Sequence, residues 1–439
     1  MDTLAESPVS TINPAPAAAR FAQSVREKTA GAQRSVQRLE SVDLYRGIIM
    51  VIMLIDHVRF FVHYDGPAGL HDPLDVSTTT WFFYLTRWIT HLCAPAFVLL
   101  AGASAGFQRQ RGTSVPALSK FLLTRGLALI LIELTLVRMV TSFNVDLKFF
   151  GNLQVIWAIG VSMVVLAGLV HLPDRVVLAI GLLIVCGHNA FDGVKVAVWK
   201  GPADPTPSIS AKLWMLFHQG GFFPFAGPNS TVVRAHYPLV PWIGLIAVGY
   251  VFSNLWTMEA ARRRQVLRQV AAVMLVAFVG LRLSHAYGDN IEWHRYDTFW
   301  KTFGSFMNVQ KYPPSLLFLL VSLAPCLLAL SFLDGRALTG PLTRALITYG
   351  RVPMFYYLLQ WLWAFACGLM VASVAGLPLA MFFAPRASSF YGGPPWILAG
   401  TLAHVYVCWL LGIVVLYFPC RWYAGVKARR KDLVLLRYL

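Results

Sequence analysis

The chain has 439 residues, 57% of them hydrophobic and only 13% charged, with a formal net charge of +17. That balance excludes an ordinary soluble domain and fits a polytopic membrane protein. The basic residues lie in short connections and tails and no nucleic-acid motif accompanies them, so nucleic acid is excluded as a partner.

Residues 1–40 are rich in Ala, Ser, Arg and Gln without an apolar core, which predicts a disordered basic cytoplasmic tail rather than a secretory signal peptide. Apolar runs then fall near 44–64, 81–107, 120–141, 152–171, 175–192, 237–256, 266–284, 314–333, 352–379 and 396–419. The expected fold is therefore all-α: a polytopic integral membrane helical bundle of about 10 spans, with room for an eleventh beside the ninth run. The membrane domain covers 41–422, and 423–439 forms a second basic tail. With ten spans the basic connections, including Arg109 and Arg111, Arg262 to Arg264, Arg336 and Arg344, all fall on one side together with both tails. The positive-inside rule makes that side cytoplasmic, with the N- and C-termini there. The opposite connections 193–236 and 285–313 are long and rich in Gly, Pro, Trp, Tyr and His, as an outer vestibule would be. The six cysteines form no CxxC pair and read as small buried hydrophobes; no metal is expected.

The first run is the most informative, because it carries Arg46, Asp56, His57 and Arg59. Ionisable groups within a span are expensive unless they pair or face a water-filled cavity, and they mark functional sites. Asp56 and Arg59 are three residues apart and can pair directly. His57 lies about 16 Å along the helix from Arg46, in the outer half of the bilayer. The second run brings Arg87 and His91 to a similar level, and Pro95 frees the carbonyl of His91 and predicts a kink there. Glu133, within turns of Arg125 and Arg138, is expected to form a structural ion pair. His236 and Lys311 open later runs and point at the vestibule, and Arg351 enters the ninth run from the cytoplasm.

These segments together resemble the heparan-α-glucosaminide N-acetyltransferase catalytic-domain family, including its bacterial members. The matching signatures are Ser41-Val-Asp with Arg46-Gly47, Asp56-His-Val-Arg59, Thr90-His-Leu-Cys-Ala-Pro-Ala-Phe97 and Gln154-Val-Ile-Trp157. Further on come Pro238-Leu-Val-Pro-Trp242, Lys311-Tyr-Pro-Pro-Ser315 and Gly350-Arg-Val-Pro353, so the likeness runs from about residue 38 to 425. It implies a transmembrane acetyltransferase that moves an acetyl group from acetyl-CoA, its co-substrate, to an amine or hydroxyl of a sugar or cell-envelope glycan at the outer face. It also implies a bacterial cytoplasmic (inner) membrane location, with the lipid bilayer as partner and a homodimer allowed. By position it assigns Asp56 and His57 to catalysis, with His63 and His71 as looser candidates. One departure is Gln360, where the bacterial pattern commonly has His.

Thioester chemistry needs a base and oxyanion donors. His57, oriented by Asp56, is the expected base, with His91 as a further catalytic group. Arg59, Arg87, His63, His236 and Lys311 are expected to hold substrate or stabilise charge, and Arg46 and Arg351 to bind the CoA phosphates, with Arg109 and Arg111 as further candidates. A proton-coupled small-molecule transporter could use the same Asp/His/Arg cluster, and a haem-binding subunit is a weaker alternative.

Overall fold

The computed structural model describes residues 40–64, 72–143, 149–227, 230–336, 339–383, 398–430 and 432–433. The expected N-terminal tail as far as residue 39, residues 434–439 of the C-terminal one, and His71 lie outside the described residues. The chain is an integral membrane protein and mostly helical, as its composition requires.

Helix α1 covers residues 40–62. Helix α2 (Trp81–Trp88) passes through a 3-10 turn (Ile89–Leu92) into α3 (Cys93–Gln110). Pro95 sits in the first turn of α3, and the change of helix type directly precedes it, where its missing N–H frees the His91 carbonyl. Helix α4 (Val115–Ile132) runs through a single π turn (Glu133–Val137) into α5 (Arg138–Ser142). There follow α6 (Val155–Leu169), α7 (Asp174–Gly187), α8 (Ile209–Trp214), α9 (Leu239–Phe252) and α10 (Ala260–Ser284). Helices α11 (Phe299–Met307), α12 (Leu316–Leu333), α13 (Pro341–Arg351), α14 (Pro353–Val374) and α15 (Leu402–Arg429) complete the order.

Seven helical stretches among the described residues are long and apolar enough to cross a membrane: Trp81–Gln110, Asp174–Phe191, Leu239–Thr257, Ala260–Ser284, Leu316–Leu333, Pro353–Val374 and Leu402–Arg429. The runs expected near 44–64, 120–141 and 152–171 also form helices, but of another character. Helix α1 carries its charged cluster, α4 holds Lys120 and Arg125, and α6 has only 15 residues. Two backbone contacts set the geometry. A methyl group on Gly102 or Gly249 would overlap the backbone of Ile246 or Leu99, so α3 and α9 touch main chain to main chain. Gly47 and Gly350 make the same kind of contact with Leu346 and Asp43, which brings α13 against α1 and Arg351 close to Arg46.

The all-α expectation needs one amendment. Two connections, between α5 and α6 and between α8 and α9, together hold a three-stranded sheet in the order β1-β3-β2, with β1 (Phe149–Leu153) parallel to β3 (Val232–Ala235) and β2 (Gly221–Pro224) antiparallel to it. Its strands have four or five residues, too short for a period-of-two pattern to stand out among apolar neighbours. Leu153, Met215, Phe223, Val233 and Ala235 give the sheet its own small core. All six cysteines are free, and all but Cys186 are buried.

Candidate active site

Helix α1 presents Asp56, His57 and Arg59 to a cavity of about 270 Å³, which Arg87, Lys311 and His236 also line. The carboxylate of Asp56 is shared. Its Oδ1 accepts from Arg59 Nε at 3.2 Å and its Oδ2 from an Arg87 guanidinium N–H at 2.8 Å. The pairing of Asp56 with Arg59 is as the three-residue spacing requires, and Arg87 also donates to Thr90 Oγ1 at 3.1 Å.

Both carboxylate oxygens are thus engaged by arginines rather than by His57. Consecutive helical residues point about 100° apart, so Asp56 is poorly placed to orient its neighbour. The His57 ring is positioned instead by α14: it stacks on Trp361 with centroids 3.7 Å apart and planes 20° from parallel, and meets Tyr357 edge-on. Its Nδ1 is buried and has no hydrogen-bond partner among the described residues.

The opposite wall comes from the connections before α9 and before α12. Strand β3 delivers Arg234, and the residues after it deliver His236 and Tyr237. Lys311 and Tyr312 arrive on a loop fastened by Asp289, which accepts from the amides of Ile291 and Gln310 and, at 2.5 Å, from Ser315 Oγ. Arg282 anchors the same segment through the carbonyls of Ile291, Ser305, Phe306 and Asn308. The Tyr237 and Tyr312 hydroxyls are 3.5 Å apart, and His236 packs on the Tyr312 ring at 4.1 Å. Burial, then the cations Arg234, Lys311 and Arg87, push the His236 imidazole well below its ordinary value, so it is neutral. Burial raises the Tyr312 phenol, but Lys311 and Arg87 more than offset this and leave it below the usual tyrosine value.

Two expected residues lie elsewhere. His91 is fully buried against Phe318 of α12, with neither ring nitrogen partnered among the described residues, and it does not line the cavity. His63 stacks on Phe83 at 4.1 Å, and its backbone bridges to Gly400. Glu133 departs from the ion pair anticipated for it. It accepts from the amides of Gln154 and Trp157, which caps the N-terminus of α6.

A second cavity, of about 320 Å³, adjoins the first, and Met53, Phe97, Val155 and Tyr357 line both. Arg46 and Arg351 line it, joined by Arg125 and Lys427. Arg109 and Arg111 do not. Arg46 donates to Asp43 Oδ1 at 3.0 Å, to the Gly350 carbonyl and to Ser104 Oγ. Arg351 is half exposed and reaches Glu40 at 3.5 Å and Asp43 at 3.8 Å.

Residues 38–287 match the family model described as heparan-α-glucosaminide N-acetyltransferase, catalytic. The chain belongs to this family. Among curated proteins none matches the sequence. Membership in the heparan-α-glucosaminide N-acetyltransferase family makes the protein a membrane-embedded acetyltransferase. The match contains the Asp56, Arg87 and His236 walls of the cavity, and Lys311 and the α14 aromatics lie beyond it. Sequence reasoning missed Arg138, Arg234, Tyr237, Tyr312, Tyr357 and Trp361 as cavity residues. Tyr237 and Tyr312 directly follow residues it singled out, whereas Tyr357 and Trp361 lie on α14, beyond the break that follows Arg351.

Proposed function

We propose that the protein transfers an acetyl group from acetyl-CoA, bound at the basic cavity, to an amine or hydroxyl of a glycan-type acceptor in the outer cavity. The observation that carries this reading is the pair of adjoining cavities. One is ringed by Arg46, Arg125, Arg351 and Lys427, and the other holds Asp56, His57, Arg59 and Arg87. By the positive-inside rule the basic cavity opens to the cytoplasm, where CoA is found, and the protein resides in a bacterial cytoplasmic membrane. The guanidinium groups suit the charged phosphates of CoA, and the mostly apolar residues shared by the two cavities suit its uncharged pantetheine arm.

His57 is the base. Its imidazole takes the proton from the attacking nitrogen or oxygen as that atom bonds to the thioester carbonyl carbon. The resulting oxyanion is held by N–H donors of Arg59, Arg87 or Lys311, with the Tyr312 hydroxyl as a further donor. Collapse breaks the carbon–sulfur bond, and the proton on His57 passes to the departing thiolate to give CoA. Asp56 acts by fixing Arg59 and Arg87.

The test uses purified protein in nanodiscs with radiolabelled acetyl-CoA, and with glucosamine or envelope glycans as acceptors. Acceptor-dependent CoA release that falls at least 100-fold in His57→Ala supports the assignment. Release unchanged in that variant removes His57 as base. Acetyl-CoA binding by neither protein, with acceptor flux into vesicles, replaces the reading with a transporter.

A further inference from the structure

The end of α7 carries a group of side chains that the acetyl-transfer reading does not use. His188 and Asp192 flank a 3-10 turn (His188–Phe191), and His218 lies in a π turn (Met215–Gln219) that leads into β2. One ligating atom from each of the three lies within 4.8 Å of the others, and His218 Nε2 is 3.0 Å from Asp192 Oδ1. None of the three lines either cavity.

From this geometry we propose that His188, Asp192 and His218 form a structural site for a divalent cation of zinc type. Two imidazoles and one carboxylate are a donor set such an ion prefers, with water completing a tetrahedron. A simple His218–Asp192 hydrogen bond accounts for only part of the arrangement. His188 is 98% buried, as its 2% exposure shows, and neither of its ring nitrogens has a partner among the described residues. A buried imidazole with both nitrogens idle is unfavourable, and an ion beside it removes the deficit. The carboxylate is also held for the purpose. Asp192 Oδ2 accepts from Asn189 Nδ2 at 2.8 Å and from Asn290 Nδ2 at 3.0 Å, leaving Oδ1 turned to His218. Metal sites commonly orient their ligands through such outer hydrogen bonds.

The position gives the ion a task. His218 stands three residues before β2, which pairs with the strand that carries Arg234 into the cavity. Asn189, the neighbour of His188, accepts from the Leu316 amide at 2.8 Å, just after the loop that carries Lys311 and Tyr312. Asn290 lies in the segment that fastens this loop through Asp289. An ion here ties the two outer connections to the end of α7 and fixes the roof over the cavity.

The experiment uses the full chain without a polyhistidine tag, in nanodiscs, stripped with chelator and then equilibrated with zinc or cobalt(II). Elemental analysis should find about one zinc per chain in the wild type and in the control His171→Asn, whose histidine is exposed. Cobalt should give visible absorption of tetrahedral type, and zinc should raise the Tm. All three responses should be lost in His188→Asn and His218→Asn. Should these two fail to fold, Asp192→Asn decides, with at least tenfold weaker zinc binding expected. No retained metal in the wild type, or equal binding in wild type and variants, overturns the proposal.

Discussion

Replacing Asp56 by Asn keeps the size of the side chain and one acceptor oxygen but removes the negative charge. The charge matters because Asp56 meets Arg59 at 3.2 Å and Arg87 at 2.8 Å, with side-chain exposures of only 24%, 11% and 13%. Without it two guanidinium groups face each other beside Lys311. Breaking a buried pair from one side is worth about 3–5 kcal/mol, and water in the cavity moves this case towards about 3 kcal/mol. Stability should be measured by denaturant titration in mixed micelles for wild type, Asp56→Asn, Arg87→Gln and the double variant. The second substitution removes one of the stranded cations, so the double variant should be more stable than the sum of the singles by about 1.5–3 kcal/mol. An Asp56→Asn loss below about 1 kcal/mol, or an Arg87→Gln effect equal in both backgrounds, would refute the shared-carboxylate account.

The His236 imidazole is held well below its ordinary 6.5, so as pH falls through that value the unfolded chain takes a proton that the folded one refuses. Stability should therefore be full above about pH 6.5 and decline below it, by up to about 1.4 kcal/mol per pH unit from this group. His236→Gln should flatten the Tm profile between pH 6.5 and 5, and an unchanged slope would count against it. Arg125→Gln and Arg351→Gln should each raise the KM for acetyl-CoA about tenfold and leave kcat close to wild type, and a fall in kcat alone would remove the cavity they line from donor binding. Gln360 is fully buried with neither amide atom partnered among the described residues, so Gln360→Met should stabilise the protein by about 1 kcal/mol in the same denaturant titration. A destabilised variant would mean that the amide has a role.

The helical bundle was legible because long apolar runs leave few alternatives, and the charges of α1 announced the site because they are costly where they stand. The direction of each charge was harder to read. Spacing within one helix gave the Asp56–Arg59 pair but could not tell that Arg87 takes the other oxygen or that Trp361, some 300 residues away, holds His57. Similar depth along adjacent helices suggested that His91 joins His57, yet the 3-10 turn before Pro95 rotates it towards α12. The small sheet escaped because residues 149 to 235 pair across three intervening α-helices, and nothing local marks such a partner.

The wall common to the two cavities is made by Met53, Phe97, Val155 and Tyr357. Three of these side chains are wholly apolar, and a hydrated ion loses more on entering such a constriction than the constriction can return. The neutral thioester end of the pantetheine arm meets no such barrier. With the proposed orientation, in which the basic cavity faces the cytoplasm and the other the outer side, this apolar wall would keep the two cavities from short-circuiting the ion gradient of the membrane. Widening the wall, for instance by shortening Phe97, would be expected to show first as electrical leak.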